Sequence, residues 1–223
     1  MADFRTHLTA AMGGGALLAM AGWQGALWTP GEALTVAGLT TFGGVLPDID
    51  ADQSHAVRLV FNTLALLVGV TGGLLMHDRL EPGKLLMVCG GLYTGVRYGL
   101  SSIFKRLTVH RGIWHSLLAG GLCALATSAV SYRFLALEPR LAWSQGVAVM
   151  VGFCIHLLLD ELFSVDLTGA RLKRSFGSAF KLFDYRKPLN SVLMLLLAAG
   201  LMPWLPAWHQ LGELAAQGAA LWR

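Results

Sequence analysis

The sequence predicts an all-α protein, a polytopic membrane helical bundle with about six to seven transmembrane helices. Hydrophobic residues make up 55% of the 223 residues and charged residues only 13%, about half the share that is usual in soluble proteins. The chain therefore carries more apolar surface than a soluble domain of this length can bury. This composition excludes a disordered chain, a coiled-coil rod and a water-soluble single domain.

Apolar segments long enough for membrane helices recur along the chain. A bilayer core of about 30 Å needs roughly 20 helical residues, so the second segment, with only 14 residues, predicts a short helix. The predicted spans are 8–28, 33–46, 59–76, 85–104, 112–136, 141–163 and 189–208.

Each predicted span is delimited by local signals. The first follows Arg5 and ends at Trp28, and the glycines at 13–15 argue against a cleaved signal peptide. Proline residues mark most of the remaining gaps: Pro30, Pro47, Pro82, Pro139, Pro188, Pro203 and Pro206. Residues 209–223 form the C-terminal tail, which is a candidate for a short Ala-rich helix.

Basic residues concentrate in alternate loops, above all at 105–111 and 171–187. The positive-inside rule then predicts a cytoplasmic N-terminus. It also accounts for the net charge of +4, so no nucleic-acid partner is needed. We expect one transmembrane domain over 1–208, with 164–188 either a topogenic loop or an amphipathic segment on anionic lipid headgroups.

Ionisable side chains are costly in lipid and mark candidate functional sites. Under the predicted topology, four groups of them fall at the cytoplasmic ends of helices. They are His7; Asp48, Asp50, Asp52 and His55; His110, Arg111, His115 and Ser116; and His156 with Asp160. Their common end predicts a single site at the cytoplasmic membrane face.

The residue types in these groups predict a metal centre. His156 and Asp160 are four residues apart, which places both on one helical face as metal ligands, or alternatively as a hydrogen-bonded pair or proton relay. Four histidines with three to four carboxylates exceed one tetrahedral zinc site and favour two Zn²⁺ ions, with Mn²⁺ or Fe²⁺ as alternatives. The predicted ligands are His7, Asp48, Asp50, His110, His115, His156 and Asp160.

The same stretches resemble the LexA-regulated, inner-membrane metal-dependent hydrolase family (YdjM-like). The resemblance covers roughly residues 5–195 and includes His7, the stretch GVLPDID at 44–50, His110 to Ser116, His156 with Asp160, and the stretches at 177–183 and 188–190. It implies a multi-pass hydrolase of the bacterial inner membrane. Ile113 and Trp114 stand where the family usually has a Thr beside the second histidine. The ligands are distantly similar to those of zinc-dependent phospholipase C and P1-type nucleases.

The expected reaction is hydrolysis of a phosphoester by a metal-activated water. A site at headgroup depth favours a membrane lipid or another lipid-linked phosphoester as the substrate. Arg111 is expected to neutralise charge on the phosphate or to act only as a topogenic anchor. Asp52 is expected to orient ligands, and Ser116 to contact the phosphate or to cap a helix.

Three further residues are candidates for substrate binding. Arg97 lies within the fourth predicted span, where it either pairs with a site carboxylate or receives an anionic headgroup. Lys181 and Asn190 are candidates through the family resemblance.

Other functions are compatible with the same residues. A nuclease would use the basic loop, but the sequence has no nucleic-acid-binding motif. A metal or ion transporter would place its ligands near the bilayer midplane, usually between repeated halves, and no repeat is present. A membrane module stabilised by metal, without catalysis, is the third alternative, and the sequence leaves the oligomeric state open.

Overall fold

A computed structural model describes residues 3–50, 55–103, 114–166, 171–172, 181–183 and 188–220. The described chain is helical apart from one minimal strand pair, so the all-α prediction is confirmed with that exception. The helices are α1 (Phe4–Gln24), α2 (Pro30–Gly43), α3 (His55–Met76), α4 (Pro82–Thr94), α5 (Leu117–Arg133), α6 (Pro139–Leu162), α7 (Pro188–Leu201) and α8 (Trp208–Ala220).

Shorter elements complete the described chain. Single 3₁₀ turns lie at Leu46–Asp50 and Met202–Trp204, and α4 continues into a π-helical segment, Gly95–Leu100. Strands β1 (Val165–Asp166) and β2 (Arg171–Leu172) pair antiparallel, with Val165 opposite Leu172. They occupy part of the predicted basic loop 164–188, most of which lies outside the described residues.

Every predicted span coincides with a helix, and all of these helices except α5 begin earlier than predicted. Four of them start on a proline that the sequence reading placed in a gap: Pro30, Pro82, Pro139 and Pro188. Proline fits the first turn of a helix because its missing N–H would have no helical partner there. The short second helix is confirmed, with 14 residues, and the tail forms α8.

The predicted number of transmembrane helices is wrong for the described residues. By length and apolar composition two helices can cross a membrane, Val57–Met76 within α3 and the whole of α6. A third span results if α7 and α8, which are bent by 95°, are one broken span. The α-helical part of α4 has 13 residues before the π-helical segment begins, and α5 has 17, so neither α-helix alone has the roughly 20 residues required. Helix α1 is long enough, but its glycines and the polar residues at its ends make it less apolar than the two candidate spans.

The chain divides into two compact units, Met1–Pro47 with Ile113–Arg223, and Asp48–Gly112. In the second unit, α3 packs against α4 and the π-helical segment. Glycines on α3 allow this contact, since a Cβ added at Gly73 would lie 3.0 Å from the Cys89 sulfur. Small residues of this kind let membrane helices approach closely.

In the first unit, α1 and α2 both pack against α6, and α5 packs between α6 and α7. The apolar core of this unit includes Ala11, Val36, Val149, Phe153 and Leu157, all at most 1% exposed. Helices α1 and α6 therefore have fixed positions relative to α2. The polar side chains that α1 and α6 carry lie in a rigid environment.

A second cluster of the first unit lies at the beginning of α6. Trp143 and Ala129 are buried there with Leu205, and Leu211 and Leu214 of α8 pack on them. The Trp143 indole donates to the carbonyl of Ala207 (3.2 Å). This contact fixes the start of α8 against α6.

Candidate metal centre

The centre depends on a close crossing of α2 and α6. A Cβ added at Gly43 would overlap the Val149 carbonyl, and one added at Gly152 would overlap the Thr40 carbonyl. The two backbones are thus in direct contact, which only glycine permits. As a result, the carbonyl of Gly44, at the end of α2, lies beside the side chain of His156 on α6.

His156 is oriented by this carbonyl. Its Nδ1–H donates to the Gly44 oxygen over 2.7 Å, and the side chain is completely buried. A proton held on Nδ1 leaves Nε2 as the atom with a lone pair in the neutral ring. That Nε2 lies 3.8 Å from Oδ2 of Asp160, one turn later on the same helix. The predicted shared face of this pair is confirmed.

His7 approaches the same carboxylate from α1. The helix begins at Phe4, and Asp3 caps it by accepting from the Thr6 N–H (2.8 Å). One turn into the helix, Nε2 of His7 lies 3.2 Å from Oδ1 of Asp160. Its ring stacks on that of His156, with centroids 3.7 Å apart and planes inclined by 10°.

His115 reaches the carboxylate from the start of α5. Its Nε2 lies 3.9 Å from Oδ2 of Asp160, and its ring meets that of His156 edge-on at 5.8 Å. His115 directly precedes the capping residue Ser116.

A backbone segment holds the start of α5 in place. The N–H groups of Leu117 and Leu118 donate to the carbonyls of Lys181 (2.9 Å) and Leu182 (3.0 Å). The Ser116 hydroxyl accepts from the Ala119 N–H (3.3 Å), so the predicted capping role of Ser116 is confirmed. We call residues 181–183 the strap. Carbonyl groups of the strap accept from N–H groups that have no partner within the helix at the start of α5. The strap thereby brings Lys181 to the end of α5 that carries His115.

His7, His115, His156 and Asp160 form what we call the His/Asp cluster. All four are at most 4% exposed. Within the described residues, Nδ1 of His7 has no hydrogen-bond partner, and the histidines around Asp160 approach its two oxygens without good hydrogen-bond geometry, although buried polar atoms are normally satisfied. Converging, buried imidazole and carboxylate groups are the donor set that zinc prefers.

The spacing of these donors also fits a divalent ion. Two ligands bound at about 2.0–2.1 Å on a tetrahedral ion are ~3.3 Å apart. The measured separation between His7 and Asp160 is 3.2 Å, and the ligand atoms of His7, His156 and Asp160 all lie within 4.8 Å of one another. The residues therefore fit a metal with small side-chain adjustments.

The other predicted site residues have different outcomes. His110, Arg111 and Asp52 lie outside the described residues, as does the side chain of Asp50. Asp48 is half-buried in the 3₁₀ turn that begins the second unit. Their roles stay predictions.

Two of the substrate-binding candidates have described surroundings. The guanidinium of Arg97, in the second unit, lies over the ring of Tyr98 (5.2 Å to the centroid), a cation–π contact that the sequence reading did not anticipate. Asn190 is in the first turn of α7 and is half-buried. The substrate-binding roles of both residues stay predictions.

The sequence reading missed the residues that support the cluster. Gly152 precedes His156 by one helical turn, and Gly43 and Gly44 open the stretch that carries Asp48 and Asp50. Two signals in the sequence could have indicated them. One is a glycine one helical turn before a predicted ligand, and the other is a pair of glycines before the acidic stretch.

These features define an α-helical membrane protein with a buried histidine–carboxylate centre. A family model for the YdjM inner membrane protein matches residues 1–172, and the chain belongs to that family. All four residues of the His/Asp cluster lie in the matched region, whereas Lys181 and Asn190 lie beyond it. Comparison with curated proteins and with solved structures gave no match.

Proposed function

We propose that this protein is a metal-dependent hydrolase of the inner membrane and that the His/Asp cluster is its catalytic centre. The observation that carries the proposal is the convergence of three buried histidines on Asp160. A buried carboxylate without hydrogen bonds is unfavourable, and a bound cation removes that penalty.

The histidines around the two carboxylate oxygens of Asp160 favour a pair of metal ions. His7 faces Oδ1, whereas His115 and His156 face Oδ2. His7 with Asp160 would hold one ion, and His115 with His156 and Asp160 would hold the other. The mixed nitrogen and oxygen set favours Zn²⁺, with Mn²⁺ or Fe²⁺ as alternatives.

The protein residues have separable roles in this proposal. Such ions would supply an activated water and Lewis-acid polarisation of a phosphoester. His156 is held in its metal-binding tautomer by Gly44, a support that metal-binding histidines usually have. Burial of the cluster excludes bulk water and so strengthens the electrostatic interactions inside it. Arg111 and Lys181 are the cations proposed to hold the phosphate.

A lipid-linked phosphoester is the favoured substrate. The cluster is at helix ends, beside a strap whose Leu182 is 59% exposed, and Leu189 at the start of α7 is 68% exposed. Exposed apolar side chains beside a polar centre are suited to the lipid interface. By the positive-inside rule, we assign this face, with the N-terminus, to the cytoplasm.

The proposal is tested with purified protein in lipid nanodiscs. Zinc-loaded wild type is expected to release the alcohol or phosphate from phosphatidic acid, a polyprenyl phosphate or a phospholipid, and Asp160→Asn is expected to lose this activity. The matched control is Asp78→Asn, since Asp78 is 84% exposed and pairs with His77 (3.0 Å).

The outcomes separate the candidate functions. Equal hydrolysis by wild type and Asp160→Asn would remove the cluster from the mechanism. Hydrolysis of single-stranded DNA or RNA in preference to lipids would identify a nuclease. Zinc uptake into sealed vesicles without any hydrolysis would identify a transporter.

A further inference from the structure

An apolar groove lies in the first unit between the end of α1 and the helix α8. Its volume is about 610 Å³, within the 300–1,000 Å³ of typical ligand pockets. Leu17, Leu18 and Ala21 form one wall, and Leu211, Leu214 and Ala215 form the other. The α8 residues recur at the spacing of one helical face, so this helix turns a continuous apolar stripe towards the groove.

The groove and the His/Asp cluster are at opposite ends of the same helices. On α1 the cluster residue His7 precedes Leu17 by ten residues, about 15 Å of helical rise. On α6 the order is reversed, and Ser144 of the groove precedes His156 by about 18 Å. The groove is therefore a separate site, near the membrane face opposite the cluster.

Tryptophans at this end indicate the depth of the groove. Trp23, Trp204 and Trp208 are each about half exposed (53%, 49% and 51%), and exposed tryptophans are typical of the membrane interface. Helix α8 is bent by 95° from the preceding α7 segment, so it runs along the interface when α7 points into the bilayer. The groove beneath α8 then lies among lipid chains.

Two polar groups beside the groove, the Trp28 indole and the Ser144 hydroxyl, are occupied by protein partners. The Trp28 indole donates to the Ser144 hydroxyl (2.9 Å), which in turn donates to the Arg140 carbonyl (2.8 Å). Helix α8 contains Glu213 but no Lys or Arg, so it offers no cation for a phosphate. The walls are therefore suited to a hydrocarbon chain rather than to a polar ligand.

We infer that the groove binds one acyl chain of a membrane phospholipid, in the leaflet opposite the His/Asp cluster, with α8 as its cover. The lipid fills the space between α1 and α8 and joins the two helices. It is not the substrate of the cluster, because the two sites are at opposite ends of α1 and α6.

The test uses the full chain in vesicles of phosphatidylethanolamine and phosphatidylglycerol that contain a phosphatidylcholine with a diazirine at the end of one acyl chain. After illumination, labelled peptides are mapped by mass spectrometry, and retained phospholipids are counted by native mass spectrometry in detergent. Wild type is expected to be labelled within 17–28 and 208–220 and to retain one phospholipid.

Filling the groove is expected to remove the lipid. Ala215→Trp introduces a large ring into the groove, and Ala219→Trp adds the same ring outside the lining residues as a matched control. Labelling and retained lipid should fall several-fold in the first variant and stay at the wild-type level in the second. Gly218→Phe is a second filling variant, because the space around Gly218 is open.

Three results would overturn the inference. The first is equal labelling of the filled variants and the control. The second is wild-type labelling spread over the lipid-facing helices with none in the groove. The third is a dimer in which the groove is joined to a second copy of the chain. Bound metal should be the same in all variants, which separates this test from that of the proposed catalytic centre.

Discussion

Substituting Gly152 with alanine should disrupt the metal centre without changing any ligand. The added Cβ would overlap the Thr40 carbonyl and lie 2.8 Å from the Gly44 nitrogen, whereas ordinary contacts begin at 3.4 Å. To lengthen the 2.8 Å contact to 3.4 Å, α2 and α6 must move apart by at least about 0.6 Å. Overpacking of this kind typically destabilises a protein by about 1–3 kcal/mol.

The displacement acts directly on His156. Its hydrogen bond to Gly44 is 2.7 Å long, and the same shift would lengthen it to about 3.3 Å, past the usual limit of ~3.2 Å. Loss of such a supporting hydrogen bond typically lowers metal affinity about 10–100-fold. We therefore expect zinc affinity to fall by that factor in Gly152→Ala.

Zinc affinity is measured by competition with a chelating dye in detergent, alongside helical content by circular dichroism. Gly121→Ala on α5 is the matched control, because nothing lies within 4 Å of its added Cβ, and its affinity should be unchanged. If Gly152→Ala binds zinc as tightly as wild type, the crossing does not position His156 and this reasoning fails.

Two further predictions concern stability and protonation. Ser131→Ala removes the donor of a buried hydrogen bond to Gln145 that joins α5 and α6, and it should lower the free energy of unfolding by about 0.6–1.7 kcal/mol. The free energy of unfolding is measured by steric trapping. A loss no larger than that of Ser102→Ala, at an exposed serine, would contradict this prediction. Hydrogen bonding from Thr6 lowers the pKa of Asp3 below its ordinary 3.8, so the cap should be complete above that pH and be lost only as the pH falls through the lower, folded-state value. The Thr6 amide shift in NMR should titrate with a midpoint under 3.8, and a midpoint at or above 3.8 would contradict the assignment.

The helices and the core of the candidate site could be predicted because their signals are local. Apolar segments located the seven helices α1 to α7, and the spacing of His156 and Asp160 determined their common face. The predicted topology also placed His7 and His115 near this pair, because alternate helix ends share a side, although the seven crossing spans that it assumed are not found in the described residues. These inferences need only sequence periodicity and polarity.

The supporting contacts could not be predicted because they join residues far apart in the chain. Gly44 and His156 are separated by 112 residues, and nothing in either sequence stretch specifies the α2–α6 crossing. The strap contacts of Lys181 with α5 are equally non-local. The span count failed for another reason: an apolar stretch in the sequence does not show how long the uninterrupted α-helix within it is, and by length and composition two helices, or three with the bent pair, can cross a membrane among the described residues.

Metal content tests the central claim most directly. Elemental analysis of the purified, zinc-equilibrated protein should find about two ions per wild-type chain, the same content in Asp78→Asn, and a clear loss in Asp160→Asn with unchanged helical circular dichroism. A folded wild-type chain without bound metal, or equal metal in Asp160→Asn and wild type, would contradict the assignment of the His/Asp cluster as a metal centre.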